Sequence, residues 1–201
     1  MTNYEHTLNG FPAKAGVVII GASAGGLKLL FEWSRQLPVD YPIPIVMVIH
    51  RNAKYETNLE ANLAKQCQLH VKLAKEKEPM QAGCIYFAPA GYHLLLEPEG
   101  TFSLDLSDPV HFCRPSIDVT FESIAEVYGP RTVGILLSGA NHDGAAGLQA
   151  IRNQKGFAVV QHPQWAEVPT MPQSAIDSGA YDQIAENPKI FAFIKGLEAY
   201  I

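Results

Sequence analysis

Apolar residues along this chain follow two patterns. Unbroken apolar runs rich in β-branched residues occur at Gly16 to Gly21, Ile43 to Ile49 and Val133 to Ser138. That is the pattern of strands covered on both faces within a parallel sheet. Between the first two runs the period lengthens, and Leu27, Leu30, Phe31 and Leu37 mark one face of a helix over Ala24 to Leu37 that Pro38 ends. The chain therefore opens as strand, helix, strand, a βαβ unit with a right-handed crossover.

Weaker patterns fill the rest. A helix is predicted over Asn58 to Gln66, a short strand over Leu69 to Leu73 and another over Ile85 to Ala88, closed by Pro89. His93 to Leu96 and Phe102 to Leu106 flank the turn residues Pro98 to Gly100 and predict an antiparallel hairpin. Pro115 suits the first turn of a helix running to Tyr128, with Gly129 as its stop. A helix over Gly144 to Gln154, a strand over Phe157 to Gln161, a helix from Pro172 to before Gly179 and a last helix over Pro188 to Tyr200 complete the chain. The fold class is α/β: a doubly wound, mainly parallel sheet with helices on both faces, a Rossmann-like three-layer arrangement, with an inserted antiparallel hairpin. Met1 to Ala15 are polar and aperiodic and predict a loose leader, which leaves one domain from residue 16 to 201.

Composition narrows the function. With 15 basic and 20 acidic residues the net charge is -5, and no candidate helix carries a basic stripe, so a nucleic-acid partner is not expected. Cys67, Cys84 and Cys113 are odd in number and outside any Cys-x-x-Cys pair, which fits small buried fillers in a reducing compartment. The apolar run at Ile43 is too short to span a bilayer and no charged-then-apolar leader precedes it, so neither membrane insertion nor export is expected and the cytoplasm is the expected location.

In a doubly wound sheet, reactive groups gather where strands give way to loops at their carboxyl ends. The first strand delivers Gly21-Ala-Ser23-Ala-Gly25-Gly26, the second His50-Arg51, and the strand at Val133 delivers Ser138 to Gly144. Gly21-x-Ser23-x-Gly25 has the spacing of a nucleophile elbow, in which flanking glycines leave room for a serine on a tight turn near a helix N-terminus. The same glycines would also cradle a phosphate in a dinucleotide fold. That alternative wants an acidic residue after the second strand, and this chain has His50 there.

A serine hydroxyl needs a neighbouring base, which imidazole supplies near neutral pH. Adjacent strands lie about 4.8 Å apart, within reach of such a pair. His50 could equally be a loop residue. Asp143 could be a helix N-cap or the acceptor that orients the imidazole. His142 and His162 are rival bases; His6, His70, His93 and His111 read as ordinary loop or strand residues. No His or Cys pair has ligand spacing on one helix face, so no metal is assigned.

Taken together, Gly21 to Gly26, His50, Arg114-Pro-Ser-Ile-Asp118, Asn141 to Gly147 and Met171-Pro172 resemble the catalytic domain of the chemotaxis protein-glutamate methylesterases, the CheB family. The resemblance implies a Ser23 nucleophile, a His50 general base and Asp143 to orient it. Ala24 and Ala140 would line the oxyanion and substrate site, with no cofactor. It implies hydrolysis of glutamate γ-methyl esters on the cytoplasmic helices of chemoreceptors, with methanol released and receptor glutamines deamidated. Ala24, Ala140 and Arg51 depart from the threonine and methionines frequent in the family; the Ala24 and Arg51 changes bear on specificity, while the Ala140 N–H still suits the oxyanion. Family members often carry an N-terminal receiver domain that covers the site, and none is expected in these 201 residues. Control then falls to a separate regulatory protein, to a longer chain, or to nothing. Two rival readings stay open: a non-catalytic phosphate-binding module, and an esterase of the same chemistry acting on another signalling substrate.

Overall fold

The computed structural model describes residues 14–51, 54 and 58–200. Within them the apolar runs form a fully parallel seven-stranded sheet. In chain order the elements are β1 (Val17–Ala22), α1 (Leu27–Ser34), β2 (Ile45–Ile49), α2 (Leu59–Ala64), β3 (His70–Leu73), β4 (Cys84–Phe87), β5 (His93–Leu96) and β6 (Phe102–Asp105). They continue with α3 (Ile117–Tyr128), β7 (Thr132–Leu136), α4 (Ala145–Asn153), β8 (Phe157–Gln161), α5 (Thr170–Asp177), β9 (Gln183–Ala185) and α6 (Asn187–Gly196). The strand order is β3-β4-β2-β1-β7-β8-β9, while β5 and β6 pair antiparallel as a small sheet of their own, the predicted hairpin.

Every residue of β1, β2, β7 and β8 is buried, and the pleat sends alternate side chains into two cores. Val18 and Ile20 join Leu30, Trp33, Leu63, Ile190 and Ile194, so α1, α2 and α6 cover one face. Val17 and Ile19 join Phe121, Ile124, Leu148, Met171 and Ala175, so α3, α4 and α5, with the hairpin residues Leu94 and Phe102, cover the other. Strand order runs outward from β1 in both directions, placing the switch point between β1 and β7, the position at whose carboxyl ends doubly wound folds carry their sites.

Several elements differ from the sequence expectation. Helix α1 begins at Leu27 and not Ala24, because residues 24–26 are spent on the turn after β1. Pro115 does not open α3: the Arg114–Pro115 bond is cis, and Ser116 is the N-cap, its hydroxyl accepting from Val119 N at 3.5 Å. Helix α5 starts two residues before Pro172, α6 ends at Gly196 and passes into a 3₁₀ turn over Leu197–Tyr200, and β9 was not anticipated. The expected leader falls largely outside the described residues. At its end Ala15 is buried in the first core, and Gly16 N–H donates to Arg131 O at 2.8 Å.

Candidate active site

The turn after β1 owes its shape to glycine. Gly25 has φ +81°, and a Cβ there would stand 2.5 Å from Glu167 Cβ and 2.8 Å from Ser138 Oγ. At Gly21 a Cβ would stand 2.5 Å from Ile117 Cγ2, so this glycine lets α3 approach β1. Ser23 is held through its backbone: its N–H donates to Ser138 O at 2.9 Å and its carbonyl accepts from Gly26 N at 3.2 Å. Gly25→Ala is expected to cost about 1–3 kcal/mol by combining the left-handed backbone with the clash. A melting curve for that variant checks it; an unchanged midpoint would mean the turn relaxes freely.

Register brings the next residue in. Ala22 lies opposite Ile49, and His50 N–H donates to Ala22 O at 3.3 Å, so Ser23 and His50 follow paired strand ends. From beyond β7, Asp143 reaches His50: Asp143 Oδ2 lies 2.7 Å from His50 Nε2, with the carboxylate fully buried and the imidazole 11% exposed. Of the sequence-predicted residues, the structure joins His50 to Asp143 and sets Ser23 on the adjoining strand end. Ala24 and Ala140 are exposed at the same rim. Among the described residues, neither the Ala24 N–H nor the Ala140 N–H donates to another protein group.

Asp143 does not cap its own helix. Its Oδ2 accepts from Ile117 N at 2.7 Å, and its Oδ1 accepts from Asp118 N at 2.9 Å and Ser116 Oγ at 2.9 Å, so it caps α3. Asp118 returns the arrangement: its Oδ1 accepts from Gly144 N at 2.8 Å and Gly147 N at 2.7 Å at the start of α4. Each aspartate thus serves the positive end of the other's helix. Gly144, at φ +102°, has no side chain to cap α4; Asp118 takes that role, and Asp143 stays aimed at the imidazole.

The two carboxyls respond to burial differently. Burial alone would push Asp143 up, but hydrogen bonds from His50 and from the Asp118 and Ile117 N–H groups outweigh it and hold its carboxyl below the usual range. Burial dominates at Asp118 and, with the neighbouring Asp143 charge, pushes it up to about 6 against the pull of the Gly147 N–H. A raised folded-state value means that Asp118 contributes stability fully below its unfolded value and loses it as pH rises through about 6. The neutral variant Asp118→Asn lacks this loss. The melting temperature of the wild type relative to that variant is therefore expected to fall from pH 4 to pH 7, and a constant difference across that range would refute it.

Sequence reasoning missed several supporting residues. Ser116 and Asp118 lie inside a noted motif but their partners come from another loop. His93, expected to be ordinary, is fully buried and accepts from Ser116 N at 3.2 Å through Nδ1. Ser138 Oγ donates to Ala24 O at 2.6 Å, and Gln161 Oε1 accepts from Ser138 N at 2.7 Å, tying the loops together. Cys113 is no buried filler. It is half-buried, accepts from Asn141 Nδ2 at 3.3 Å, and places Sγ within 4.8 Å of a His50 nitrogen and an Asp143 oxygen. These three groups could hold a cation, and come from three loops, which helix-face spacing cannot reveal. Burial and the Asp143 charge push the Cys113 thiol up, favouring its protonated form.

Of the rival bases, His142 is exposed beside a cleft against α5, and His162 accepts from Gln164 N at 3.2 Å in a local cap. Arg51 does not project charge from the rim: it donates to Ala88 O at 2.9 Å and pairs with Glu60. Among the described residues no helix is long and apolar enough to cross a membrane.

A three-layer parallel α/β domain with a glycine-framed serine turn and an imidazole–carboxylate pair at its switch point defines the class. The model of the CheB methylesterase family matches residues 18–194. A Leptospira interrogans protein named as a protein-glutamate methylesterase/protein-glutamine glutaminase is 43% identical over 173 residues, covering 86% of this chain and 90% of its own length. The like-named protein of Symbiobacterium thermophilum is 34% identical over 84% of this chain and 46% of its own length, and the protein-glutamate methylesterase FrzG of Myxococcus xanthus 34% over 90% and 54%. The chain thus spans nearly all of the first relative and about half of the other two. The crystal structure of the Thermotoga maritima CheB methylesterase catalytic domain superposes with a TM-score of 0.86 at 31% identity, covering 92% of this chain and 99% of that one. This chain belongs to the CheB methylesterase family.

Proposed function

We propose that this chain is a protein-glutamate methylesterase in which Ser23, His50 and Asp143 form a catalytic triad. The reading rests on the 2.7 Å contact between His50 Nε2 and Asp143 Oδ2 at the rim where the Ser23 turn emerges. An ionised carboxylate only accepts, so the imidazole proton sits on Nε2 and the lone pair on Nδ1. Nδ1 takes the Ser23 hydroxyl proton as Oγ attacks the ester carbonyl, and Asp143 stabilises the imidazolium. The unpartnered Ala24 and Ala140 N–H groups donate to the oxyanion. Nδ1–H then protonates the departing methoxide as methanol, leaving an acyl-enzyme. Water, deprotonated by the same nitrogen, releases the glutamate carboxylate and restores Ser23.

The substrate is the glutamate γ-methyl ester on the cytoplasmic helical domain of a methyl-accepting chemotaxis receptor. The same route releases ammonia from a receptor glutamine. Residues 16 to 201 make up the catalytic domain, working in the cytoplasm. The phosphate-binding alternative is disfavoured because the second strand ends in His50, an imidazole already engaged by a carboxylate, at the place where a dinucleotide site wants an acid. The test is methanol release from a methylated receptor fragment, run beside a thermal shift with dinucleotides. Methanol release without a shift is expected; a shift without methanol would sink the proposal.

A further inference from the structure

Between β6 and α3 the chain crosses the catalytic rim and makes a two-residue turn. Val110 N–H donates to Cys113 O at 3.2 Å and Cys113 N–H donates to Val110 O at 2.8 Å. The two residues between them, His111 at φ +50° and Phe112 at φ +62°, both lie in the left-handed region. Turns of this shape favour Asn-Gly, because other side chains crowd their own backbone there. The surroundings hold the turn in place. Arg114 Nη1 donates to Leu106 O and Ser107 O at 2.8 Å each, and His111 Nε2 stands 3.3 Å from Asp118 Oδ2. Asn141 Nδ2 holds the next residue, Cys113.

The strained turn puts an aromatic ring into water. Phe112 is 102% exposed, so its side chain gives the core nothing. Its neighbour Cys113 has Sγ within 4.8 Å of the His50 and Asp143 ligand atoms, so Phe112 adjoins a residue that reaches the pair. Strain that serves no packing, next to a reactive centre, points to function.

The surroundings of the serine indicate what the ring meets. Ala24, Ala140 and His142 stand exposed around the serine, and two of the clefts on this molecule, of about 540 and 650 Å³, are lined by residues other than Ser23, His50 and Asp143. Exposed residues on either side of the serine suit an ester presented on a larger protein surface. A surface brought against this rim passes beside Cys113, whose neighbour is Phe112. A helix carrying the ester places its side chains at three- and four-residue spacing along the same face, which an exposed ring can pack upon.

We propose that Phe112 is a docking anchor that packs on the apolar flank of the helical protein segment bearing the methyl ester, and so sets how strongly that substrate binds. The proposal rests on the methylesterase reading of the site. Its test is steady-state methanol release from a methylated helical receptor fragment, with melting curves for each variant. Val39→Ser is the control, since Val39 is exposed before β2 at the opposite rim.

Phe112→Ser is expected to raise KM about 30-fold with kcat within about twofold, as for loss of a central aromatic anchor. Phe112→Trp should bind like the wild type. Phe112→Gly should lose the same affinity while its melting temperature rises by about 2–4 °C, because glycine accepts the left-handed backbone. A ring that merely supported the fold would melt lower on that change. A Phe112→Ser KM within twofold of the wild type, or a lower melting point for Phe112→Gly, overturns the anchor. A wild type that releases no methanol overturns the methylesterase reading, and the anchor's occupant falls with it.

Discussion

Ser23→Ala is expected to lower methanol release by about 10⁴- to 10⁶-fold while leaving the fold intact, as for loss of the nucleophile from a triad. The loss is large because the other nucleophile described at this rim, the Cys113 thiol, is pushed up by burial and by the Asp143 charge, which favours its protonated form. The fold survives because the structural bonds of Ser23 are made by its backbone, to Ser138 O and from Gly26 N, and alanine keeps both. Methanol assay and melting curve together make the check. Equal rates in the two proteins would remove Ser23 from the chemistry. A large fall in melting temperature would mean that the hydroxyl supports the turn and that lost activity says little about attack.

Much of this site was legible in the letters because strand ends are legible. A fully buried parallel strand writes itself as an unbroken apolar run, so β1, β2 and β7 announce where Ser23, His50 and the Asp143 loop must lie. β9 carries no such run: it is three residues at a sheet edge and begins with a glutamine. Likewise, the glycine pattern around Ser23 shows a tight turn but not its length, which delays α1 to Leu27. Pro115 fits a helix start by composition, yet Ser116 takes the cap and Pro115 lies before it on a cis bond.

The support around the His50–Asp143 pair is less visible still, because it exists only between distant segments. An Asp near a helix start reads locally as the cap of that helix. In the fold, Asp143 and Asp118 exchange helices across 25 positions of sequence, through Asp118 N to Asp143 Oδ1 and Gly144 N to Asp118 Oδ1. No spacing rule contains that exchange. The same holds for Cys113, which reads as a filler until a third loop brings it beside His50.

The exchange makes Asp143→Asn the sharpest second test, because the substitution changes one atom and should harm both rate and stability. All four groups around the carboxylate donate: Ser116 Oγ, Ile117 N, Asp118 N and, in the ionised pair, His50 Nε2. An amide accepts at only one of its two positions. Turned either way, its NH₂ meets at least one N–H or must drive His50 to its other tautomer, where Nδ1 carries the proton and cannot take one from Ser23. Activity is therefore expected to fall about 10⁴-fold, the penalty of a triad locked in the wrong tautomer. Stability should fall by about 3 kcal/mol, since a buried, fully used charge is lost and a backbone donor is orphaned. For a domain of this size that is a melting temperature lower by about 6–12 °C. A variant that keeps its melting point but loses its rate would show that the helix caps tolerate the amide and that only the imidazole needs the charge. One that keeps its rate would remove Asp143 from the mechanism, because a base that works equally well beside an amide is not being oriented by a carboxylate.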